Sequence, residues 1–151
     1  RATFVPERRQ ELTTEGGLDV AGQLDKVRRA VRKFQGRGIE VSLFIDPDLS
    51  QVAAAKRSEA RIIELHTGAY ANAKKKGPEL RHLLAAARAA RREGLLVAAG
   101  HGLTVSNVPG VAALAEIEEL NIGHAIISRA LTFGMAKAVG EMREAMSAVR
   151  R

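Results

Sequence analysis

Cysteine and tryptophan are both absent from the 151-residue sequence, and aromatic side chains make up only 3% of it. Without cysteine there is no disulfide framework and no cysteine-ligated metal site, a usage that suits a reducing cytoplasmic setting. With so few aromatics there is almost nothing on which unpaired bases could stack. No apolar run reaches the roughly 18 residues that a membrane-crossing helix needs. Also missing are the H-E-x-x-H spacing, the G-x-G-x-x-G fingerprint, the Walker loop and the G-x-S-x-G elbow, so zinc, nucleotide and serine-hydrolase readings lose their support. What remains, at 46% hydrophobic and 27% charged residues, is the composition of one ordinary globular domain. The first residue is Arg1 rather than Met, and no charged-then-apolar leader follows it. The expectation is a chain cut from something longer.

Lys and Arg number 24 against 17 Asp and Glu, a net charge of +7. Such a surplus first suggests nucleic acid, because clustered cations bind phosphate backbones by releasing counterions. Their placement argues against it. Arg28, Arg29, Arg32 and Lys33 fall opposite the apolar stripe Leu24, Val27, Val31 and Phe34, and Arg88, Arg91 and Arg92 fall opposite Leu80, Leu83, Leu84 and Ala87. Both sets read as solvated helix faces. Small anionic ligands remain compatible with the charge.

Short apolar runs alternate with longer stretches of helical period, the pattern of βα units around a parallel sheet. Strands are predicted at residues 2–5, 40–45, 61–66, 95–99 and 118–122, and helices at 20–35, 49–57, 78–93 and 108–116. A last helix is expected to carry Met135, Val139, Met142, Met146 and Val149 on one face, with the methionines as core. Gly36-Arg37-Gly38 and Gly94 stand where helices should stop. The alternation fits either an open doubly wound sheet or a (β/α) barrel. A barrel needs eight strands; five are counted, which on that reading places three units ahead of Arg1.

Polar residues collect at the C-terminal ends of the strands, where both α/β architectures bind ligands. His101 lies between two glycines just after an apolar strand, where an imidazole could exchange a proton with a ligand; a turn histidine bonded to its own loop is the alternative. Asn121-Ile122-Gly123-His124 precedes a helical run, so its amides should point out of a helix N-terminus that attracts phosphate. With three units missing, Gly102 and Gly123 occupy the loops where barrels often hold a phosphate. The alternative for Gly123 is a tight strand-to-helix turn. Glu64 sits inside the apolar strand Ile62-Ile63-Glu64-Leu65-His66, where a carboxylate is costly unless it is paired or functional. Alternation places His66 on the same face, as its partner or as a bystander. Thr13-Thr14-Glu15-Gly16-Gly17 is a polar loop able to offer hydroxyls and amides to an oxygen-rich ligand, or simply a turn. His82 falls on a basic helix face and reads as surface.

Five segments in order carry a resemblance to a known family: Val5-Pro6-Glu7-Arg8-Arg9-Gln10-Glu11-Leu12-Thr13-Thr14-Glu15-Gly16-Gly17-Leu18-Asp19-Val20, then Val41 to Asp46, Ile63 to Gly68 with Tyr70-Ala71, Ala99 to Thr104, and Glu119 to Ile127. The chain resembles, over essentially its whole length, the C-terminal part of the pyridoxine 5'-phosphate synthases of deoxyxylulose-dependent vitamin B6 biosynthesis. That resemblance implies the last five βα units, strands 4 to 8, of a (β/α)8 TIM barrel. It further implies a cytoplasmic octamer that joins 3-amino-2-oxopropyl phosphate to 1-deoxy-D-xylulose 5-phosphate, releasing phosphate and water, with no metal or organic cofactor. His101 corresponds to the family's proton donor and Glu64 to its transition-state-stabilising carboxylate. Thr13 corresponds to a contact to the deoxyxylulose phosphate, and Gly102, Gly123 and His124 to the amino-ketone phosphate site.

The resemblance also implies that a general-base histidine and a second glutamate belong to the front strands, so this length of chain alone should be a poor catalyst. Ala98 stands where the family usually has asparagine, Ser106 where histidine is common, and residues 56–61 are more charged than usual. A non-catalytic half-barrel that keeps only the phosphate cradle is the alternative function. An open five-stranded sheet would leave two unpaired edges, which invites self-association.

Overall fold

The computed structural model describes residues 1–6 and 16–149. Strand and helix alternate along it: β1 (Ala2–Phe4), α1 (Leu24–Gln35), β2 (Val41–Ile45), α2 (Leu49–Arg57), β3 (Ile62–His66), α3 (Gly68–Asn72), α4 (Lys76–Arg92), β4 (Leu96–Gly100), α5 (Val108–Ala112), β5 (Glu119–Asn121), α6 (His124–Phe133) and α7 (Met135–Ser147). The five strands form one parallel sheet in the order β1-β2-β3-β4-β5. A doubly wound sheet reverses its strand order at a switch point and carries helices on both faces. Here the order never reverses, and the sheet residues of the main core all lie on one face.

Alternation along the strands sorts the side chains cleanly. Val41, Leu43 and Ile45, Ile63 and Leu65, and Val97 and Ala99 join one buried cluster with Val27, Val31, Val52, Leu83, Ala87 and Val111 of the helices. On β1, Phe4 turns the same way and meets Phe34 of α1 edge-on, with ring centroids 5.2 Å apart. Removing a large aliphatic side chain from such a core costs about 2–5 kcal/mol. The opposite face carries Thr3, Ser42, Phe44, Glu64, His66, Ala98, Glu119 and Asn121, a mostly polar set.

That polar face is concave. Arg1 at the start of β1 makes two 2.8 Å hydrogen bonds to Glu119 of β5, although these are opposite edge strands. In a flat sheet they would stand about 19 Å apart, more than these two side chains can span. The sheet therefore curls until its edges face each other.

Local rules explain the element ends. Asp48 accepts a hydrogen bond from the Ser50 amide at 2.6 Å and caps α2. Helix α4 begins at Lys76, two residues before the predicted start, because Pro78 fits in a first turn whose amides have no intrahelical partner. Gly38 and Gly94, both at φ +74, lie where the chain leaves α1 and α4, as their spacing suggests. The short α3 has no counterpart in the sequence reading, and α5 stops at Ala112 rather than at 116. Gly134, at φ +81, breaks the terminal helical stretch into α6 and α7. Of the three methionines expected in the core, Met142 is buried and Met146 packs against the core. Met135, at the exposed start of α7, is a correction at 51% exposed. Val149 lies beyond α7 and is exposed as well.

The basic residues sit as the helical pattern implies. Arg32 pairs with Glu59, Arg91 with Glu118, and Arg88 with Glu116 at 2.9 Å, all near the surface, where solvent screens such pairs and they add little to stability. Among the described residues no helix is long and apolar enough to cross a membrane.

A candidate active-site cleft at the strand ends

The concave face opens at its C-terminal end into a cleft of about 650 Å³. Glu64 from β3, His101 and Gly102 from beyond β4, and Gly123 and His124 from beyond β5 all line it. Thr13, the remaining expected contact, lies outside the described residues.

Glu64 enters the cleft from the middle of β3 and is 9% exposed. Its Oε2 accepts a 2.8 Å hydrogen bond from Asn121 Nδ2 on β5. A Cβ at Gly100 would come within 2.6 Å of Glu64 Oε1, so the missing side chain there is what admits the carboxylate. Burial pushes the Glu64 carboxyl above the usual carboxylate range, an effect that the Asn121 hydrogen bond and Arg1 oppose and Glu119 reinforces. A carboxyl of that kind can hold or release a proton closer to neutrality than an exposed one. His66 shares its face but is not its partner. Its Nδ1 lies 2.9 Å from Asp46 Oδ1 at the end of β2.

His101 follows β4 with φ +87 and is succeeded by Gly102 at φ +72. Two left-handed residues in a row turn the chain sharply, and for histidine that conformation is strained. The buried Thr67 hydroxyl sits 2.7 Å from the Gly100 carbonyl and 2.5 Å from that of His101, sharing its one proton between them. Gly102 is required twice over, by its φ and because a Cβ there would stand 2.7 Å from Ala71 Cβ. The loop beyond is tied down by Asn107, whose Oδ1 accepts from the Thr104 amide at 2.7 Å and whose Nδ2 donates to the Gly102 carbonyl at 3.2 Å. Tyr70 in turn donates to the Asn107 carbonyl at 2.7 Å.

The fourth wall is the start of α6. Gly123 is the N-cap, and among the described residues no side-chain cap bonds the first-turn amides, the arrangement in which such N–H groups can face an anion. Gly123 has φ −113, which any residue adopts, and a Cβ there would meet nothing within 4 Å. A tight turn therefore does not account for the glycine. His124 follows it, exposed. His82 is also exposed, 3.4 Å from Glu79. Among the described residues no group of three His, Asp or Glu side chains is arranged to hold a metal ion.

The sequence reading missed Asn121 as Glu64's partner and missed Thr67, and it placed Asp46 at a strand end without a role. The usable signal was chemical: a carboxylate buried in a strand needs a donor, and a polar residue on a nearby strand can supply it.

Residues 1–148 match the family described as pyridoxal phosphate biosynthesis protein PdxJ. A pyridoxine 5'-phosphate synthase of Synechococcus sp. (strain JA-2-3B'a(2-13)) is 58% identical over 147 residues, covering 95% of this chain and 62% of that protein. The one from Trichodesmium erythraeum (strain IMS101) is 53% identical over 148 residues, covering 96% of this chain and 62% of that protein. The chain thus spans under two thirds of these relatives' length. A solved structure titled "Crystal structure of Amycolatopsis orientalis BexX/CysO complex" superposes with a TM-score of 0.59 at 19% identity, over 88% of this chain and 50% of that one, a likeness of fold alone. With a family match over nearly every residue and more than half of the positions identical to synthases of this kind, the chain belongs to the PdxJ family of pyridoxal phosphate biosynthesis proteins.

Proposed function

We propose that this chain supplies the last five βα units of a (β/α)8 barrel that condenses 3-amino-2-oxopropyl phosphate with 1-deoxy-D-xylulose 5-phosphate to pyridoxine 5'-phosphate, releasing phosphate and water. The observation that carries the reading is the convergence of Glu64, His101, Gly102, Gly123 and His124 on one cleft. The curl of the singly wound sheet supports the barrel, because strands inserted between β1 and β5 would close it. In the family's manner the assembled protein is a cytoplasmic octamer that needs no metal or organic cofactor.

The amino-ketone phosphate sits against the α6 N-terminus, with the Gly123 and His124 amides and the turn at Gly102 around its oxygens. Thr13 contacts the phosphate of the deoxyxylulose substrate. Imine formation, loss of water and ring closure each move protons. His101 gives a proton to a departing oxygen, and Glu64, hydrogen-bonded to Asn121 and raised in pKa, stabilises the charge that develops beside it. Groups from outside this length of chain complete the set.

The test is phosphate release from the two substrates by the full-length gene product. Release that needs both substrates, and falls about 10²- to 10⁴-fold in His101→Asn and Glu64→Gln, supports the reading. Calorimetric binding of the amino-ketone phosphate with no turnover replaces it by the non-catalytic phosphate-binding half-barrel.

A further inference from the structure

His66 is 7% exposed, and nothing in the proposed reaction uses it. The Asp46 carboxylate can only accept, so the proton of their 2.9 Å contact sits on Nδ1. Nε2 is fully buried and has no hydrogen-bond partner among the described residues. An unsatisfied buried nitrogen lowers stability, so its presence calls for a use other than stability. The ring is gripped between two others: its centroid lies 5.1 Å from that of Phe44 and 5.0 Å from that of His101, the second pair meeting edge-on at 65°. A Cβ on Gly68 would stand 2.5 Å from His66 Nε2 and 3.4 Å from His101 Cδ2. The bare glycine is what lets the two imidazoles meet.

Thr67, between His66 and Gly68, acts on the other half of His101. Its buried hydroxyl bonds the carbonyls of Gly100 and of His101 itself, across the residue held at φ +87. A backbone in that region persists only where its surroundings enforce it. Three consecutive residues at the end of β3 thus form a mould around one residue at the end of β4.

We infer that Asp46, His66 and Thr67 are positioning residues for His101. Asp46 fixes the tautomer and angle of His66, whose ring sets the plane against which the His101 imidazole rests, and Thr67 holds the left-handed backbone that aims it into the cleft. In its catalytic consequence the inference rests on the proton-transfer role proposed for His101. The mould itself does not.

Thr67→Val, Thr67→Ser and Asp46→Ala in the full-length gene product test it, with turnover of both substrates and histidine ring NMR as readouts. Thr67→Val keeps the shape and removes the hydroxyl; it is expected to lower kcat on the order of tenfold to a hundredfold, as sub-ångström misplacement does, with KM within about twofold. Thr67→Ser restores kcat, and Asp46→Ala lowers it with the same split. Unchanged kcat in Thr67→Val, or a serine variant no better than the valine one, overturns the inference. If the unmodified protein turns over neither substrate, the proposed reaction fails and the rings decide. The Cε1–H and Cδ2–H signals of His101 should move in Thr67→Val and in Asp46→Ala, return in Thr67→Ser, and leave those of His124 in place; static His101 signals sink the inference. If the valine variant fails to fold, the Asp46→Ala spectra decide alone, by whether the His101 signals move or stay.

Discussion

At the β3–β4 corner of the cleft, an added Cβ would lie 2.5 Å from His66 at Gly68, 2.6 Å from Glu64 at Gly100 and 2.7 Å from Ala71 at Gly102. At the β5–α6 corner, a Cβ on Gly123 would meet nothing within 4 Å. The same residue type therefore does opposite work at the two ends of one site. In the first corner, backbone has been cleared so that protein groups can press on one another: Glu64 on Gly100, His66 on Gly68, Thr67 on the His101 carbonyl. In the second, space is left open at a helix end whose first-turn amides have no side-chain cap among the described residues. The proposed reaction would use this difference, since a group that must move a proton needs a fixed geometry, whereas a phosphate brings its own oxygens and needs only donors that face it.

The contrast breaks most visibly on substitution of Gly100. Gly100→Ala drives a methyl into the Glu64 carboxylate and to 2.7 Å from the Asn121 carbonyl, and overpacking of that kind costs about 1–3 kcal/mol. Gly123→Ala should leave the unfolding free energy within about 0.5 kcal/mol of the parent while weakening binding of inorganic phosphate in calorimetry. If both variants lose the same stability, or if Gly123→Ala binds phosphate as well as the parent does, the two corners are not different in kind.

Asn121→Ala probes the packed corner more gently. Glu64 loses its hydrogen-bond donor, and its carboxyl, already raised by burial, moves further up. A carboxyl whose folded value exceeds its unfolded value makes the folded protein hold the extra proton. Stability therefore falls as pH rises from the unfolded value through the folded one, and is level above it. Asn121→Ala should extend that decline to higher pH and cost about 1–2 kcal/mol at neutrality, a loss that shrinks in acid, where Glu64 is protonated in both states and accepts more weakly. Urea melts across the acid range check this; a loss that persists undiminished in acid would mean that Asn121 acts through packing instead.

How much of this was legible beforehand follows from the range of each signal. The strand and helix alternation, the polar strand ends and the oddity of a carboxylate in Ile62-Ile63-Glu64-Leu65 are local patterns, and each survives in the structure. Glu64 and Asn121 are 57 residues apart and two strands from one another, so their pairing depends on sheet register and curl, which no local pattern encodes. For the same reason His66 was left between two roles, since Asp46 lies 20 residues upstream on another strand. Helix α3, at five residues, is too short to show a period, whereas the helical run at 125–131 and the last helix from Met135 were read separately, as α6 and α7 are. Thr13 was legible only through the family resemblance.

The smallest effect belongs to Arg1. Its ion pair with Glu119 joins the two edges of the sheet, yet the side chains remain 35% and 45% exposed, and pairs so placed contribute under about 1 kcal/mol. Arg1→Ala should lower stability by no more than that, with the difference shrinking as salt is added. Its electrostatic reach is the sharper probe, because Arg1 lowers the Glu64 pKa and Glu119 raises it. With Arg1 gone, Glu119 still raises it and Asn121 alone still opposes the shift, so the Glu64 carboxyl should titrate at a higher pH by NMR while the α6 corner binds phosphate as before. A stability loss well above about 1 kcal/mol would instead make this edge-to-edge contact a determinant of the curl, and both corners of the cleft would then deform together.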